Sequence, residues 1–342
     1  VRFFFIGILI ICACKGKDTE EQETSPAEMN QPGKKYEKVA RLSSPLNKTK
    51  YTIGEHVTFE IKIPDTIRVD STRLFINNSL IKTLSENTLK TSISTDGLPV
   101  GGNNFRFEVF LNNEQTDVLY KRLTFLSDIK PDQLRARITE TYPHDPQAYT
   151  QGLFYEDGYL YEGTGHRGQS SLRKVNLKDG DLINSLALPS DYFGEGVTSC
   201  KDKIIQLTWT SRTGFVYDKK EFKLINKVRY PTEGWGITTD GEKLIMSDGS
   251  SIIYFLDPEY FTEIGRIEVY DHTGPVKNLN ELEYFNGRVY ANVWQESYII
   301  SFNPENGKVL EKIDCSALVP EKYKNHNDLV LNGIAYDSEQ DR

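Results

Sequence analysis

A frame of about fifteen residues recurs along the chain and constrains the fold more than any other feature. QGLFYEDGYLYEGTG, which begins at Gln151, aligns with EGVTSCKDKIIQLTW from Glu195, WGITTDGEKLIMSDG from Trp235 and NELEYFNGRVYANVW from Asn280. An aliphatic anchor near the start of each frame is followed twelve positions later by glycine or tryptophan. The anchors are Leu153, Val197, Ile237 and Leu282, and the later positions are Gly165, Trp209, Gly249 and Trp294.

The spacing of the anchors indicates the architecture. Successive anchors lie 44, 40 and 45 residues apart, and a further match, Ile334 in NGIAYD, follows after 52. Repeats of this length with several short apolar strands are typical of β-propeller blades, which are four-stranded sheets arranged around one axis. Each frame is followed by another apolar strand and an outer strand, as in SLRKVNL from Ser171 and LINSLAL from Leu182. The sequence therefore predicts an all-β protein with a five-bladed β-propeller over residues 136–342.

We expect the last blade to be truncated. The chain stops at Arg342, just after the first strand of that blade should end, which indicates a gene fragment. The ring of a propeller is commonly closed by a strand from the start of the repeats, and Arg137–Tyr142 is the candidate. The blade would still lack its two middle strands and leave a sheet edge exposed.

A small β-sandwich is predicted in front of the propeller, over residues 41–128. Four stretches alternate apolar and polar residues, and turn residues such as Gly54 and the pair Asn112 and Asn113 separate them. Short alternating strands at this spacing favour an antiparallel sandwich with an immunoglobulin-like topology. The segment contains neither a cysteine pair nor a titratable cluster, so we expect a spacer or an interaction module.

The amino terminus, residues 1–14, has the features of a bacterial lipoprotein signal. Arg2 precedes the apolar run Phe3–Ile11, which is too short to span a bilayer, and small Ala13 stands before Cys14. We expect lipidation at Cys14 and attachment to the bacterial cell envelope, at the outer membrane or the periplasmic face. An ordinary secretory signal is the alternative.

Charge and composition narrow the expected partners. Residues 15–40 are polar and nearly free of large aliphatic side chains, so we expect a disordered tether. The formal net charge is -8, and no stretch concentrates Lys and Arg, which argues against a nucleic-acid partner. We expect a monomer.

The repeats predict a functional site at one mouth of the channel, because equivalent positions in every blade face the same axis. The residues at the start of each frame should form a ring there: Gln151, Glu195, Trp235, Asn280 with Glu281, and Asn332. One strand further on, Glu162 occupies the position of Gln206, Met246 and Ala291, so it is the only acid in that layer.

These residue types suggest proton transfer next to a bound amide. A carboxylate apart from any Lys or Arg, as we expect for Glu162, can carry a proton. The indoles of Trp209, Trp235 and Trp294 offer flat apolar walls with one N–H donor each, and the amides of the ring offer donors and acceptors. No His, Cys and carboxylate cluster has the spacing of zinc ligands, so no metal is expected.

Each candidate also has a structural interpretation, which the sequence leaves open. Glu162 is consistent with a buried carboxylate bonded to neighbouring backbone, and Trp209 and Trp294 with packing between blades. His144 and His166 fall in loops, where we expect solvated side chains. Cys200 and Cys315 fall in different blades, and two thiols do not establish a bridge.

Many stretches between Tyr142 and Arg342 resemble the plant and bacterial type of glutaminyl-peptide cyclotransferase, the papaya-latex enzyme family. They are HDPQAYTQGL, LYEGTGHRGQSSLRKV, YFGEGVT, LTWTSRTGFVYD, GWGITTDGEKLIMSDGS, NLNELEYFNGRVYANVWQ and LNGIAYD. The resemblance implies a five-bladed propeller that converts the amino-terminal glutaminyl residue of a peptide or protein to pyroglutamyl and releases ammonia, without zinc or another cofactor. It leaves the amino-terminal sandwich outside.

The resemblance also implies roles for individual residues. Glu162, in the LYEGTG motif, matches the proposed proton shuttle of the family, and Gln151, Trp209, Trp235 and Asn280 match pocket positions. Gln151 and Asn280, with an indole N–H of Trp209 or Trp235, would bind the γ-carbonyl oxygen. The family continues past LNGIAYD into a Gly-Lys-x-Trp-Pro-like turn whose lysine lies at the site, and this sequence ends before that turn.

Two other function classes remain open. A non-catalytic propeller lipoprotein would use the same pocket only to bind peptide ends. A calcium-dependent, lactonase-like propeller hydrolase would need several axial carboxylates or amides around one metal, and only Glu162, Glu195 and the asparagines are available.

Overall fold

The structure is a computed structural model that describes residues 37–319 and 330–342. The predictions for residues 1–36, including lipidation of Cys14, lie outside the described residues. The described part is all-β as predicted, with 25 strands and one short 3-10 turn at Ser316–Leu318. Within it, no helix has the length and apolar composition that a bilayer crossing requires.

Two sheets pack together near the amino terminus. A three-stranded sheet has the order β1-β3-β6, and a five-stranded sheet has the order β2-β8-β7-β4-β5. Alternating residues from both sheets form the core, where Phe59 lies 4.9 Å from Phe105 and 5.0 Å from Phe107 between ring centroids. The strands are β1 (Arg41–Ser44), β2 (Lys50–Thr52), β3 (His56–Lys62), β4 (Val69–Ile76), β5 (Ser79–Leu84), β6 (Lys90–Ser94), β7 (Gly101–Leu111) and β8 (Thr116–Leu126).

Four sheets follow, and each contains four antiparallel strands that pair in chain order. The first two are β10 (Thr150–Glu156), β11 (Tyr159–Thr164), β12 (Ser171–Asn176), β13 (Leu182–Ala187), and β14 (Gly194–Cys200), β15 (Lys203–Thr208), β16 (Thr213–Asp218), β17 (Lys223–Arg229). The next two are β18 (Ile237–Thr239), β19 (Leu244–Ser247), β20 (Ile252–Leu256), β21 (Glu263–Glu268), and β22 (Leu279–Phe285), β23 (Arg288–Val293), β24 (Tyr298–Phe302), β25 (Val309–Asp314). The apolar strands predicted after each frame are therefore present.

The repeated frame has the same strand register in all four sheets. Each aliphatic anchor lies opposite the residue nine positions later in the neighbouring strand. The pairs are Leu153 with Glu162, Val197 with Gln206, Ile237 with Met246, and Leu282 with Ala291. Glu162 is thus the acid among four equivalent positions, as the alignment predicts.

The inner strands approach one another closely around a common axis, in a propeller-like arrangement. Neighbouring inner strands are in contact from β10 through β14 and β18 to β22, and β22 also contacts β10. A side-chain carbon at Gly152 would lie 2.6 Å from the backbone nitrogen of Val197, and one at Gly196 would lie 2.7 Å from the carbonyl oxygen of Trp235. At Gly236 it would lie even closer to the carbonyl oxygen of Asn280. Glycine is required at these positions because the next sheet occupies the space of a side chain.

The carboxy-terminal segment, residues 330–342, lies between the first and fourth sheets. Glu281 stands where the other frames have this glycine, and its carboxylate accepts hydrogen bonds from the backbone N–H groups of Leu153 (3.0 Å) and Ile334 (2.8 Å). The predicted fifth anchor therefore lies beside the inner strands of two sheets. No strand is assigned within residues 330–342 themselves.

The predicted closing strand, Arg137–Tyr142, is wrong. These residues form no strand, and a strand directly before them, β9 (Asp132–Arg135), pairs in parallel with the outer strand β25. The outer edge of β25 offers a row of unpaired backbone groups, which β9 satisfies. The described residues of the carboxy-terminal segment offer Arg137–Tyr142 no strand edge of this kind.

The two-sheet unit and the four sheets contact each other directly, and residues 39–342 form one compact unit. The carboxylate of Glu268 accepts hydrogen bonds from the backbone N–H of Gly102 (3.2 Å) and from Nη2 of Arg122 (2.9 Å). Tyr270 packs into the core of the two-sheet unit.

We expect Gly236→Ala to destabilise the fold. The added methyl group meets backbone rather than a mobile side chain, so the strands must move apart, and overpacking of this kind costs about 1–3 kcal/mol or more. Thermal unfolding followed by circular dichroism should show a lower Tm. Gly274→Ala is the matched control, because nothing lies within 4 Å of its added carbon, and equal Tm values for the two variants would contradict the account.

Candidate functional site

The predicted ring residues lie at irregularities of the inner strands. The register shifts between Thr150 and Gly152, between Gly194 and Val197, and between Leu279 and Leu282. These bulges contain the ring residues of three sheets: Gln151, Glu195 and Asn280. A β-bulge redirects a side chain relative to the regular pleat, and here it occurs at the same end of these three inner strands, whereas β18 pairs without a register shift.

The amide side chains of the ring form a hydrogen-bonded chain. Nδ2 of Asn332 donates to Oε1 of Gln151 at 2.9 Å and to the carbonyl oxygen of Thr150 at 3.2 Å. Nδ2 of Asn280 donates to Oδ1 of Asn332 at 3.1 Å. The structure therefore brings Gln151, Asn280 and Asn332 together. Among the described residues, no hydrogen bond uses Nε2 of Gln151, so this amide retains a donor.

Glu162 lies in β11 with 1% of its surface exposed. Its Oε1 accepts a hydrogen bond from the hydroxyl of Thr150 at 2.6 Å and lies 2.9 Å from Nε2 of His144. Its Oε2 lies 3.5 Å from Nε of Arg173. The expectation that this carboxylate lies apart from Lys and Arg is wrong. Glu162 and Arg173 are direct cross-strand partners in β11 and β12, and such partners project from the same face of a sheet.

His144 belongs to this group, contrary to the expectation of a solvated loop histidine. Its ring is about half buried, and the hydrogen bond with Glu162 raises the pKa of His144, while burial opposes that increase. The neighbouring Asp145 binds Nη2 of Arg173 at 2.8 Å and accepts the backbone N–H of Gln147, as in a local turn. The sequence HDP stands before the first frame and before none of the other frames. This difference between the repeats is the feature of the sequence that could have identified His144.

Thr150 connects the Glu162 group with the amide ring. Its hydroxyl donates to Glu162, and its carbonyl oxygen accepts from Asn332. Because both contacts belong to one residue, the carboxylate of Glu162 and the amide of Asn332 are separated by no more than about 10 Å. The acid and the amides thus lie in one region, joined through a single residue.

The indole N–H groups are occupied by a residue that the sequence did not indicate. Nε1 of Trp209 donates to Oε2 of Glu233 at 2.8 Å, and Nε1 of Trp235 donates to the same oxygen at 3.0 Å. The expected use of these indoles as donors to a bound carbonyl is therefore not available in this arrangement. Glu233 lies two positions before the frame of the third repeat, outside the aligned pattern.

Aromatic side chains lie near the residues that start each frame. Tyr149 and His166 lie 4.0 Å apart between centroids, and edge-to-face contacts at 5.8 Å join Phe193 to Trp209 and Trp235 to Trp294. Trp209 and Trp294 are 39% and 38% exposed. They are thus not fully enclosed by packing between sheets, and part of each side chain is accessible to a ligand.

The alternation of glycine and tryptophan at the later frame position has a steric cause. A side-chain carbon at Gly165 would lie 2.5 Å from the ring of Phe193 and 3.0 Å from Cγ of Gln151. A side-chain carbon at Gly249 would lie 2.5 Å from the ring of Trp235. In these two frames the position is glycine because the aromatic ring of another residue occupies the space that a side chain would need.

Glu195 is 7% exposed, and its carboxyl makes no hydrogen bond or ion pair with the rest of the described chain. Burial, and then the negative charge of Glu233, raise the pKa of Glu195 well above its ordinary value. A carboxyl with a raised pKa keeps its proton to a higher pH than an ordinary glutamate does, and in its protonated form it can donate an O–H hydrogen bond.

Cys200 and Cys315 are both buried free thiols. In residues 37–319 and 330–342, no group of three His, Cys, Asp or Glu side chains is placed to bind a metal ion.

Comparison with known proteins places these features in a family. A sequence model described as glutamine cyclotransferase matches residues 115–342. The glutaminyl-peptide cyclotransferase of Arabidopsis thaliana is 39% identical over 209 residues, which cover 60% of this chain and 65% of that protein. The crystal structure of Myxococcus xanthus glutaminyl cyclase matches with a TM-score of 0.57 and 33% identity, over 62% of this chain and 91% of that one.

We predict that His144 titrates above the value of about 6.5 usual for histidine. The protonated ring is favoured by Glu162, so the stability that this pair contributes is complete below about 6.5 and is lost as pH rises through the higher pKa of the folded protein. NMR titration of the histidine rings measures it. Glu162→Gln should lower the pKa of His144, whereas Asp157→Asn, in the exposed turn after β10, should not; an unchanged pKa in Glu162→Gln would refute the pairing.

Proposed function

The chain belongs to the glutamine cyclotransferase family, and on that premise we propose that it converts the amino-terminal glutaminyl residue of a peptide or protein to pyroglutamyl and releases ammonia. It spans 65% of the length of its Arabidopsis relative. The observation that supports the proposal most is the buried carboxylate of Glu162, joined through Thr150 to three amide side chains.

The reaction requires one group that moves a proton between two nitrogens. The neutral α-amine of the substrate attacks its own γ-carbonyl carbon, so a C–N bond forms and the amine becomes acidic. Glu162 accepts that proton and delivers it to the γ-nitrogen, whose bond to carbon then breaks as ammonia leaves. His144, Thr150 and Arg173 orient the carboxylate for both transfers.

The negative charge that develops on the γ-carbonyl oxygen needs hydrogen-bond donors. Gln151 retains both N–H groups of its amide, and Asn280 retains one after its bond to Asn332. The carboxyl of Glu195, whose pKa is raised by burial, adds an O–H donor at an equivalent ring position when it carries its proton. We assign the oxygen to these three side chains rather than to the indoles of Trp209 and Trp235, which donate to Glu233.

The rest of the site orients the substrate. Closure of a five-membered ring is intramolecular, so fixing the glutaminyl side chain over its own amine supplies much of the rate enhancement. The partly exposed faces of Trp209 and Trp294 offer apolar surface for the chain of a peptide. We assign no metal or other cofactor to these steps.

We further propose that the four repeated sheets and residues 330–342 represent five sectors of one propeller over residues 136–342. The anchor spacing and the position of Ile334 between the first and fourth sheets support this count. For residues 41–128 we propose an immunoglobulin-like sandwich that acts as a spacer, supported by its two packed sheets.

The amino-terminal sequence supports a proposal about location. Residues 1–14 as a lipoprotein signal, Cys14 as the lipidated residue and residues 15–40 as a tether would attach a monomer to the bacterial cell envelope. Mass spectrometry of the mature protein tests this, because lipidation adds the mass of the acyl chains to the peptide that begins at Cys14.

A non-catalytic peptide binder is the second candidate. Its support is that the carboxylate of Glu162 is almost fully buried and already bonded to His144 and Thr150, as in a structural acid. A Gln-initiated peptide distinguishes the two functions, because the enzyme releases ammonia from it and the binder only binds it. Repeating the assay with a chelator tests for a metal-dependent reaction.

We expect Glu162→Gln to bind the peptide and lose turnover. The amide cannot carry the proton, and loss of a general acid–base group typically reduces kcat by about 10²–10⁴-fold. Ammonia release from a Gln-initiated peptide measures kcat, and calorimetry measures the Kd, which should stay within about threefold. Asp157→Asn serves as the control, and full activity of Glu162→Gln would eliminate the proton-transfer role.

Glu195 should contribute a titration to the pH profile of the reaction. Its O–H donor is present below its raised pKa and lost above it, so kcat/KM of the wild type should fall as pH rises through that pKa. Glu195→Gln keeps an N–H donor that does not titrate in this range, and we expect its profile to lack this fall. Glu242→Gln, at an exposed turn, should resemble the wild type; identical profiles for wild type and Glu195→Gln would contradict the assignment.

A further inference from the structure

Glu233 connects two sheets through a single oxygen atom. Trp209 directly follows β15 in the second sheet, and Trp235 precedes β18 in the third. Both indole N–H groups donate to Oε2 of Glu233, at 2.8 and 3.0 Å. Without this carboxylate, no other hydrogen bond orients either indole within the described residues.

The backbone around Glu233 is itself fixed. The N–H of Gly234 donates to the carbonyl oxygen of Trp209 at 3.2 Å, and the N–H of Trp235 donates to that of Ser247 at 3.1 Å. Of the two residues that follow Glu233, Gly234 is therefore attached to the second sheet and Trp235 to its own sheet. This attachment presents the carboxylate to both indoles at once.

The two indoles form much of the aromatic surface at the mouth. The chain contains three tryptophans, and the third, Trp294, contacts Trp235 edge to face at 5.8 Å. Trp209 exposes more than a third of its surface, so packing alone restrains its ring only in part. A hydrogen bond to an ionised carboxylate is stronger than a neutral one and can restrict this rotation.

We propose that Glu233 is a positioning residue that fixes the planes of Trp209 and Trp235, and through Trp235 that of Trp294, so that the mouth is preorganised for a peptide end. The use of this surface for a peptide rests on the proposed function. The fixation of the indoles does not, because it follows from the hydrogen bonds alone. Glu233 acts on the ligand through the tryptophans and is not assigned contact with the reacting atoms.

Tryptophan rings that are held in fixed planes contribute equally to binding the substrate and the transition state. Their loss therefore weakens peptide binding and leaves the chemical step largely unchanged. We expect Glu233→Ala to raise the Kd and KM for a Gln-initiated peptide about tenfold, with kcat within about threefold. The comparison is made in a Glu195→Gln background, so that the lost charge of Glu233 does not act through the carboxyl of Glu195. Glu233→Gln retains a carbonyl oxygen that accepts both indoles and should restore most of the affinity.

The indole resonances provide a readout that is independent of turnover. Protein labelled with ¹⁵N-tryptophan gives one indole N–H cross-peak for each of the three tryptophans, which Trp-to-Phe variants assign. In Glu233→Ala the peaks of Trp209 and Trp235 should move upfield and exchange faster with solvent, and that of Trp294 should change least. Glu242→Ala, an exposed acid of the same sheet, is the control and should leave all three unchanged.

Two results would overturn the proposal. Unchanged peaks of Trp209 and Trp235 in Glu233→Ala would mean that the carboxylate does not fix the indoles in solution. Displaced peaks with an unchanged peptide Kd would mean that the fixed planes do not serve binding. A wild-type protein that binds the peptide and releases no ammonia would remove the proposed reaction and leave this proposal standing.

Discussion

The close approach of the inner strands around the axis is the constraint on which the rest of the structure depends. Gly152, Gly196 and Gly236 each stand where the backbone of the next sheet occupies the space of a side chain. The inner strands of neighbouring sheets therefore meet backbone to backbone at these positions. The bulges at the same strand ends then direct Gln151 and Asn280 to one place.

The fourth sheet departs from this glycine pattern at the point where it contacts residues 330–342. Glu281 replaces the glycine in the fourth sheet, and its two oxygens accept backbone N–H groups from the first sheet and from residues 330–342. This bridge fixes Asn332 between Gln151 and Asn280, because Asn332 is only two residues from Ile334. The amide chain, and through Thr150 the orientation of Glu162, thus depend on how the ring is closed.

The features that the sequence predicts correctly are those that the repeat determines. The register that pairs Leu153 with Glu162, and the convergence of Gln151, Asn280 and Asn332, follow from positions that recur with fixed spacing, because equivalent residues of a radial repeat face one axis. His144, Arg173 and Glu233 were missed for the opposite reason. His144 and Glu233 lie outside the aligned frame, and Arg173 is the cross-strand partner of Glu162 in one sheet only. Their contacts depend on positions in the folded chain that the spacing of the repeats does not determine. The choice of β9 over Arg137–Tyr142 as the added strand likewise depends on which sheet edge is available in space.

The most direct measurement of the central claim is a crystal structure with a bound peptide whose first residue is a slowly reacting glutamine analogue. Its γ-carbonyl oxygen should lie within hydrogen-bonding distance of Gln151 and Asn280, and its α-nitrogen within about 3.2 Å of the carboxylate of Glu162, or one water molecule away. Trp209 and Trp294 should flank the peptide. A peptide end bound elsewhere, or bound at the mouth with its amine turned away from Glu162, would contradict the account.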